Sequence, residues 1–191
     1  VDEGQARALV CAAVRETFEE SGVLLAGPSD HEVVSDTTGD QWEADRVALE
    51  SRELAMTEFL DRRGLYLRSD LLGVWSGWLT PHFEPRRYRT WFFVADLPEG
   101  QRTRDVSRGS SEGLWLPAMG AVEQVEAEQI MMLPPTYMTC LDIAQYADTD
   151  GVLGEAQSRM VDMFTPVVEE VDGSFLLSVP PYYEQLARTR E

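Results

Sequence analysis

Positive charge is what this sequence has least of. Lys and Arg together number 16 against 34 Asp and Glu, which gives a formal net charge of −18 at pH 7. A chain this acidic is repelled by a phosphate backbone, so nucleic acid is excluded as its main partner. Cysteine is nearly absent. Cys11 and Cys140 fall in separate helix-like segments with no Cys-x-x-Cys spacing and no His-rich partner, which argues against structural zinc and suits a reducing compartment. No apolar run approaches the roughly 20 residues of a membrane span. No repeat or low-complexity tract is present, and no initiator Met precedes Val1. The final Ala-Arg-Thr-Arg-Glu is not a peroxisomal address, so a cytoplasmic location is expected.

What is present suits a globular protein. Hydrophobic residues make up 43% of the chain, and 191 residues are enough for one domain or for a domain carrying a sizeable insertion. The acidic excess fits a solvated surface, and it also fits a protein that gathers divalent cations.

Leu9, Val10, Ala13, Val14 and Phe18 recur at helical spacing and predict a helix over 6–21, stopped by Gly22. Val23 to Leu25 read as a short buried strand, and 26–40 as a surface loop. A second long helix is expected over 41–64, with Arg46 and Glu50 four apart and Gly64 closing it. The stretches "LLGVWSGWLTP", "YRTWFFVADLP" and "LWLP" read as strands, and "QRTRDVSRGSSEG" as a flexible loop. Helices are predicted over 118–127, 136–147 and 152–164, then a closing hairpin turning at Asp172-Gly173. Interleaved strands and helices imply a layered α/β fold.

The stretch "RETFEESGVLL" carries the chemistry. On a helix, Glu16 lies one turn from both Glu19 and Glu20, so the three carboxylates can converge on one point. Left alone they repel; a hard divalent cation removes that penalty and gains oxygen ligands. Arg15 can brace one carboxylate and leave the others for metal. A solvated acidic helix face is the other reading of three glutamates.

Arg15, Glu16, Glu19, Glu20, Gly22 and Val23 resemble, position by position, the second half of the Nudix box, with Thr17 where an aliphatic residue is usual. The resemblance implies an α/β fold with a mixed sheet, a Nudix α/β/α sandwich. It implies Mg²⁺ or Mn²⁺ as cofactor and cleavage of a diphosphate linkage. By it Glu19 and Glu20 are the principal metal ligands, Glu16 is a further metal ligand or the base for the attacking water, and Arg15 positions the glutamates for catalysis. Glu112, in a loop before "LWLP", is the candidate to complete the site.

The first half of the box has no match at the standard spacing. "VDEGQARALV" resembles a lengthened loop, and a segment carrying the missing strands is expected upstream of Val1. "WLTP", "PRRYRTWFFVADLPEGQ", "LWLP" and "LPPTY" resemble, in that order, the Nudix branch that includes the mammalian peroxisomal coenzyme A diphosphatase. That implies one Nudix domain over 1–191, a helical insertion over 28–70 and a C-terminal helical and hairpin extension over 133–191. The substrate it implies is coenzyme A or an acyl-CoA. Other nucleotide diphosphates (NADH, ADP-ribose, a nucleotide sugar) or a Nudix-fold binding protein without turnover are the alternatives.

Arg86, Arg87 and Arg89 could hold phosphates or offset acidic surface, and His82 beside them could touch substrate or only shape a turn. Trp75, Trp78, Trp91, Phe92 and Phe93 could stack a base or fill a core. The expected partner is a small-molecule nucleoside diphosphate derivative, with no nucleic acid and no membrane; a homodimer is one assembly this reading allows.

Overall fold

Asp2 starts the first helix, α1 (Glu3–Ser21), through a reciprocal cap: its carboxylate accepts the Gln5 N–H at 2.8 Å, and the Gln5 side chain accepts the Asp2 N–H at 3.3 Å. Residues 3–5 are therefore helical, not loop, and α1 begins three residues earlier than its apolar periodicity predicts. Gly22 ends it at φ 75°, its N–H returning to the Phe18 carbonyl. This is a computed structural model, and it describes residues 2–104, 115–171 and 173–190. The chain divides into two compact units, Val1–Leu72 with Ala95–Leu114, and Gly73–Val94 with Trp115–Glu191.

In the first unit, Val23 to Leu25 are buried but form no strand; the strand that forms is β1 (Ala26–Gly27), antiparallel to β2 (Tyr66–Leu67). Gly27 is required there, because a Cβ would run into the Glu32 carbonyl. The expected long helix is two helices, α2 (Asp40–Glu50) and α3 (Met56–Arg63). The break falls after Ser51, where Arg52 takes φ 62° and turns the chain so that Leu54, Met56, Phe59 and Leu60 reach the core. Gly64 closes α3 at φ 63°.

That core is built on Val14 and Phe18 of α1. Phe18 stacks on Phe59 at 5.6 Å between centroids, and Trp42 meets both rings edge-on, at 6.4 and 6.2 Å. Each such pair adds about 0.5–1.5 kcal/mol beyond burial alone. The guanidinium of Arg63 lies 3.6 Å over the Trp42 ring and, with Arg62, binds the buried Asp45. The helices α2 and α3 are thus latched together.

The second unit is organised on β3 (Gly73–Leu79), flanked by β4 (Arg89–Val94) antiparallel and β5 (Met163–Phe164) parallel. A sheet mixed in this way, with α4 (Ala118–Glu126), α5 (Pro134–Ile143) and α6 (Thr149–Ser158) around it, makes the fold α/β. The predicted helix over 152–164 stops at Ser158, and Met163 and Phe164 pair with Gly77 and Trp78 instead. Trp115 and Leu116 are not in a strand.

Trp75 is 1% exposed and packs with Val152 and Ala156; Trp78, 3% exposed, stacks on Tyr183. Both are core, while Trp91, Phe92 and Phe93 are half-buried. The hairpin forms as β6 (Val168–Val171) and β7 (Ser174–Leu177), followed by a helix the apolar pattern did not predict, α7 (Pro181–Arg188). Among the described residues no helix is long and apolar enough to cross a membrane.

Candidate active site

The last two turns of α1 carry Glu16, Glu19 and Glu20. A helix ends with partial negative charge on its unpaired carbonyls, so three carboxylates there are doubly unfavourable unless cations meet them. The last turn of α1 holds no basic residue. Arg15 pairs with the carboxylates, the Arg46 side chain and the Arg104 backbone N–H meet carbonyls at the helix end, and arginine supplies every basic side chain in this chain except its two histidines.

Arg15 donates Nη1 to both carboxylate oxygens of Glu19, at 2.7 Å each, and Nη2 to Glu16 Oε1 at 3.1 Å. Glu19 is buried by this pairing, while Glu16 and Glu20 remain exposed.

Arg46 comes from α2. It is 2% exposed and donates Nη1 to the backbone carbonyl of Glu19 at 2.6 Å. The same guanidinium binds Glu43 through Nε and Nη2, and Glu50 through Nη1. The hydrogen bond from Arg46 holds the Glu43 carboxyl below its usual range, and Glu43 in turn raises Arg46 above its own.

Arg104 completes the set. Its backbone N–H donates to Ser21 O at 2.8 Å, and its side chain donates to Thr37 O and Glu43 Oε2, both at 3.0 Å. The segment leaving α1 is bound as fully: Thr37 Oγ1 donates to Gly22 O at 2.6 Å, and the buried Gln101 amide exchanges hydrogen bonds with both backbone groups of Leu24. Residues 101–104, expected to be flexible loop, are therefore an ordered brace. Thr37, expected on a surface loop, is fully buried.

The three carboxylates do not gather into a cage. Arg15 draws Glu19 aside, and among the described residues no three Asp, Glu, His or Cys side chains come together as cation ligands. Their chemistry still fits a hard divalent ion. All donors are oxygens, and Glu16 and Glu20 face solvent on successive turns.

Arg86, Arg87, Arg89 and His82 lie in the second unit, in or beside the 80–88 connection, and all are exposed. Arg87 Nε donates to Thr80 O at 2.8 Å, and Arg89 opens β4 opposite Leu79. Phe83 and Tyr88 are exposed beside them. Glu112 lies outside the described residues. Cys11 and Cys140 are free thiols.

Sequence reasoning saw Arg46 only as the partner of Glu50 and missed Arg104, Gln101 and Thr37. One signal for Arg46 was available: it stands with Trp42, Asp45 and Leu49 at i, i+3, i+4, i+7 spacing, on the inward stripe of α2.

A profile of the NUDT19 Nudix domain matches residues 4–142. The chain belongs to this Nudix family. Its relatives include the acyl-coenzyme A diphosphatase NUDT19 of Xenopus laevis, 23% identical over 93% of this chain and 50% of the relative. The NUDT19 of Gallus gallus is also 23% identical, over 93% of this chain and 52% of the relative. A putative nudix hydrolase 7 of Caenorhabditis elegans is 26% identical over 73% of this chain and 45% of the relative. The chain thus spans about half the length of these relatives. The crystal structure of a Nudix hydrolase from Alicyclobacillus acidocaldarius superposes with a TM-score of 0.66 at 21% identity, covering 81% of this chain and 68% of that one, and shows the shared fold. Within this Nudix chain, α1 carries the residues that resemble the second half of the box.

Proposed function

We propose that this Nudix chain hydrolyses a diphosphate linkage with Mg²⁺ or Mn²⁺ held by Glu16, Glu19 and Glu20, and that its substrate is coenzyme A or an acyl-CoA. The observation that carries the reading is Arg15 binding Glu16 and Glu19 together on the box helix, with Glu20 exposed one turn on. The substrate class is supported by the acyl-coenzyme A diphosphatases among its relatives.

A divalent cation, when bound, supplies charge neutralisation at the diphosphate oxygens and a lowered pKa for the attacking water. The protein's part is orientation. Arg15 fixes Glu19, and Glu16 and Glu20 present carboxylates to solvent. The water oxygen bonds one phosphorus, the bridging oxygen leaves with the other phosphate, and the water proton passes to a carboxylate, a role proposed for Glu16 as the alternative to metal ligation. From coenzyme A the products are adenosine 3′,5′-diphosphate and phosphopantetheine. Arg86, Arg87, Arg89 and His82 are proposed to contact anionic groups of substrate through their exposed donors.

The test is product analysis with Mg²⁺ or Mn²⁺ on CoA, acetyl-CoA, NADH, ADP-ribose and UDP-glucose, with Glu20→Gln as control. CoA cleavage lost in Glu20→Gln is the expected result. Turnover of another nucleotide alone removes the CoA assignment. Ligand binding without metal or turnover replaces the enzyme reading with a binding module.

A further inference from the structure

We infer that Arg46 is a positioning residue for the carboxylate helix, and that Arg104 completes its clamp through Glu43. The inference rests on the metal-dependent reading of α1 given above. The contact that carries it is made to backbone. Arg46 Nη1 is 2.6 Å from the carbonyl oxygen of Glu19, the peptide group that joins Glu19 to Glu20. Fixing that peptide plane fixes the direction in which both side chains leave the helix. A turn free to fray would let Glu20 swing relative to Glu16.

The clamp is also balanced in charge. Arg46 and Arg104 contribute two positive charges, and Glu43 and Glu50 two negative ones, all joined by hydrogen bonds of 2.8–3.1 Å. The helix end gains a buried donor without a net positive charge that would repel a cation nearby. Glu43 is the shared member: it accepts from both guanidiniums, while the Arg104 backbone N–H binds Ser21 O.

Lysine does not replace this device. The planar guanidinium reaches Glu43, Glu50 and the Glu19 carbonyl from three nitrogens in fixed directions, and a single ammonium carries the charge without that fork. The segment read as an insertion thus supplies the residue that aims the carboxylates.

The experiment measures Mn²⁺ affinity from the free-ion electron paramagnetic resonance signal, and kcat and KM on CoA, for the full chain and for Arg46→Gln, Arg46→Lys and Glu43→Gln. Arg46→Lys keeps the buried charge and Glu43→Gln spares the carbonyl contact, so a folded variant remains if Arg46→Gln loses its structure by circular dichroism. The expected result is a loss of about tenfold or more in Mn²⁺ affinity and in kcat for Arg46→Gln, with KM changed far less, partial recovery in Arg46→Lys, and a smaller loss in Glu43→Gln. Folded Arg46 variants whose Mn²⁺ affinity and kcat stay within about twofold of the parent overturn the role of Arg46 alone. A parent chain that holds no Mn²⁺, or holds it equally well as Glu20→Gln, refutes the metal reading and the role with it.

Discussion

One nitrogen of Arg15 lies 2.7 Å from each carboxylate oxygen of Glu19, and the other terminal nitrogen of the same guanidinium reaches Glu16 at 3.1 Å. Two candidate metal ligands are therefore set by one side chain. Arg15→Lys keeps a charge but cannot hold both glutamates. The proposed metal-dependent diphosphate hydrolysis is expected to fall about 10- to 100-fold, the usual cost of losing a group that orients metal ligands. Steady-state kinetics beside an unchanged circular dichroism spectrum check this; parent-like kcat/KM would show that Arg15 does not set the glutamates.

Gly22 stands at φ 75°, and a Cβ there would come 2.7 Å from Arg104 Nη2. Gly22→Ala has to bear the left-handed backbone and displace the arginine as well. A loss of about 1–2 kcal/mol is expected from the backbone alone. Urea unfolding measures it, and a variant as stable as the parent contradicts the cap.

Asp142 is fully buried in the second unit and accepts from Arg159 at 2.6 Å and from the Tyr182 hydroxyl at 2.9 Å. The Arg159 guanidinium also lies 4.2 Å over the Trp75 ring. Asp142→Ala leaves a largely buried cation without its partner, which costs about 3–5 kcal/mol. The signature is a lower urea midpoint with altered tryptophan fluorescence. A midpoint equal to the parent's would mean that Arg159 finds water instead.

Glu126 accepts from Arg190 at 2.6 Å and from Tyr137 Oη at 2.8 Å, and these contacts, Arg190 foremost, lower its carboxyl to about 2. A carboxyl depressed in the folded state stabilises above its unfolded value and loses that contribution as pH falls through the folded one. Thermal stability is therefore expected to decline between about pH 4.5 and about pH 2 partly through this group, as the tie between α4 and the end of the chain is protonated. The Glu126→Gln variant should lack that component. Identical acid profiles for the two proteins would remove Glu126 from the account.

Much of the fold was legible from local pattern. Apolar spacing located α1, Gly22 and Gly64 marked where two helices stop, and aromatic, β-branched runs gave β3 and β4. Asp172-Gly173 marked the hairpin. The errors share a cause. The region 41–64 has helical composition throughout, yet it breaks at Arg52 because the core needs α3 to turn back onto Phe18. Met163 and Phe164 continue a helical run but pair with β3, where a sheet edge offers hydrogen bonds that local preference does not count.

The candidate residues Arg15, Glu16, Glu19 and Glu20 were legible in the sequence itself, since their spacing on one helix face needs no partner to be recognised. How those side chains are held was decided by tertiary structure. Arg46 reaches Glu19 across 27 residues, and Gln101 reaches Leu24 across 77. In both contacts a side chain binds a backbone group. Every residue carries a carbonyl, so nothing in the identity of Glu19 or Leu24 announces the contact, and only folding brings donor and acceptor together.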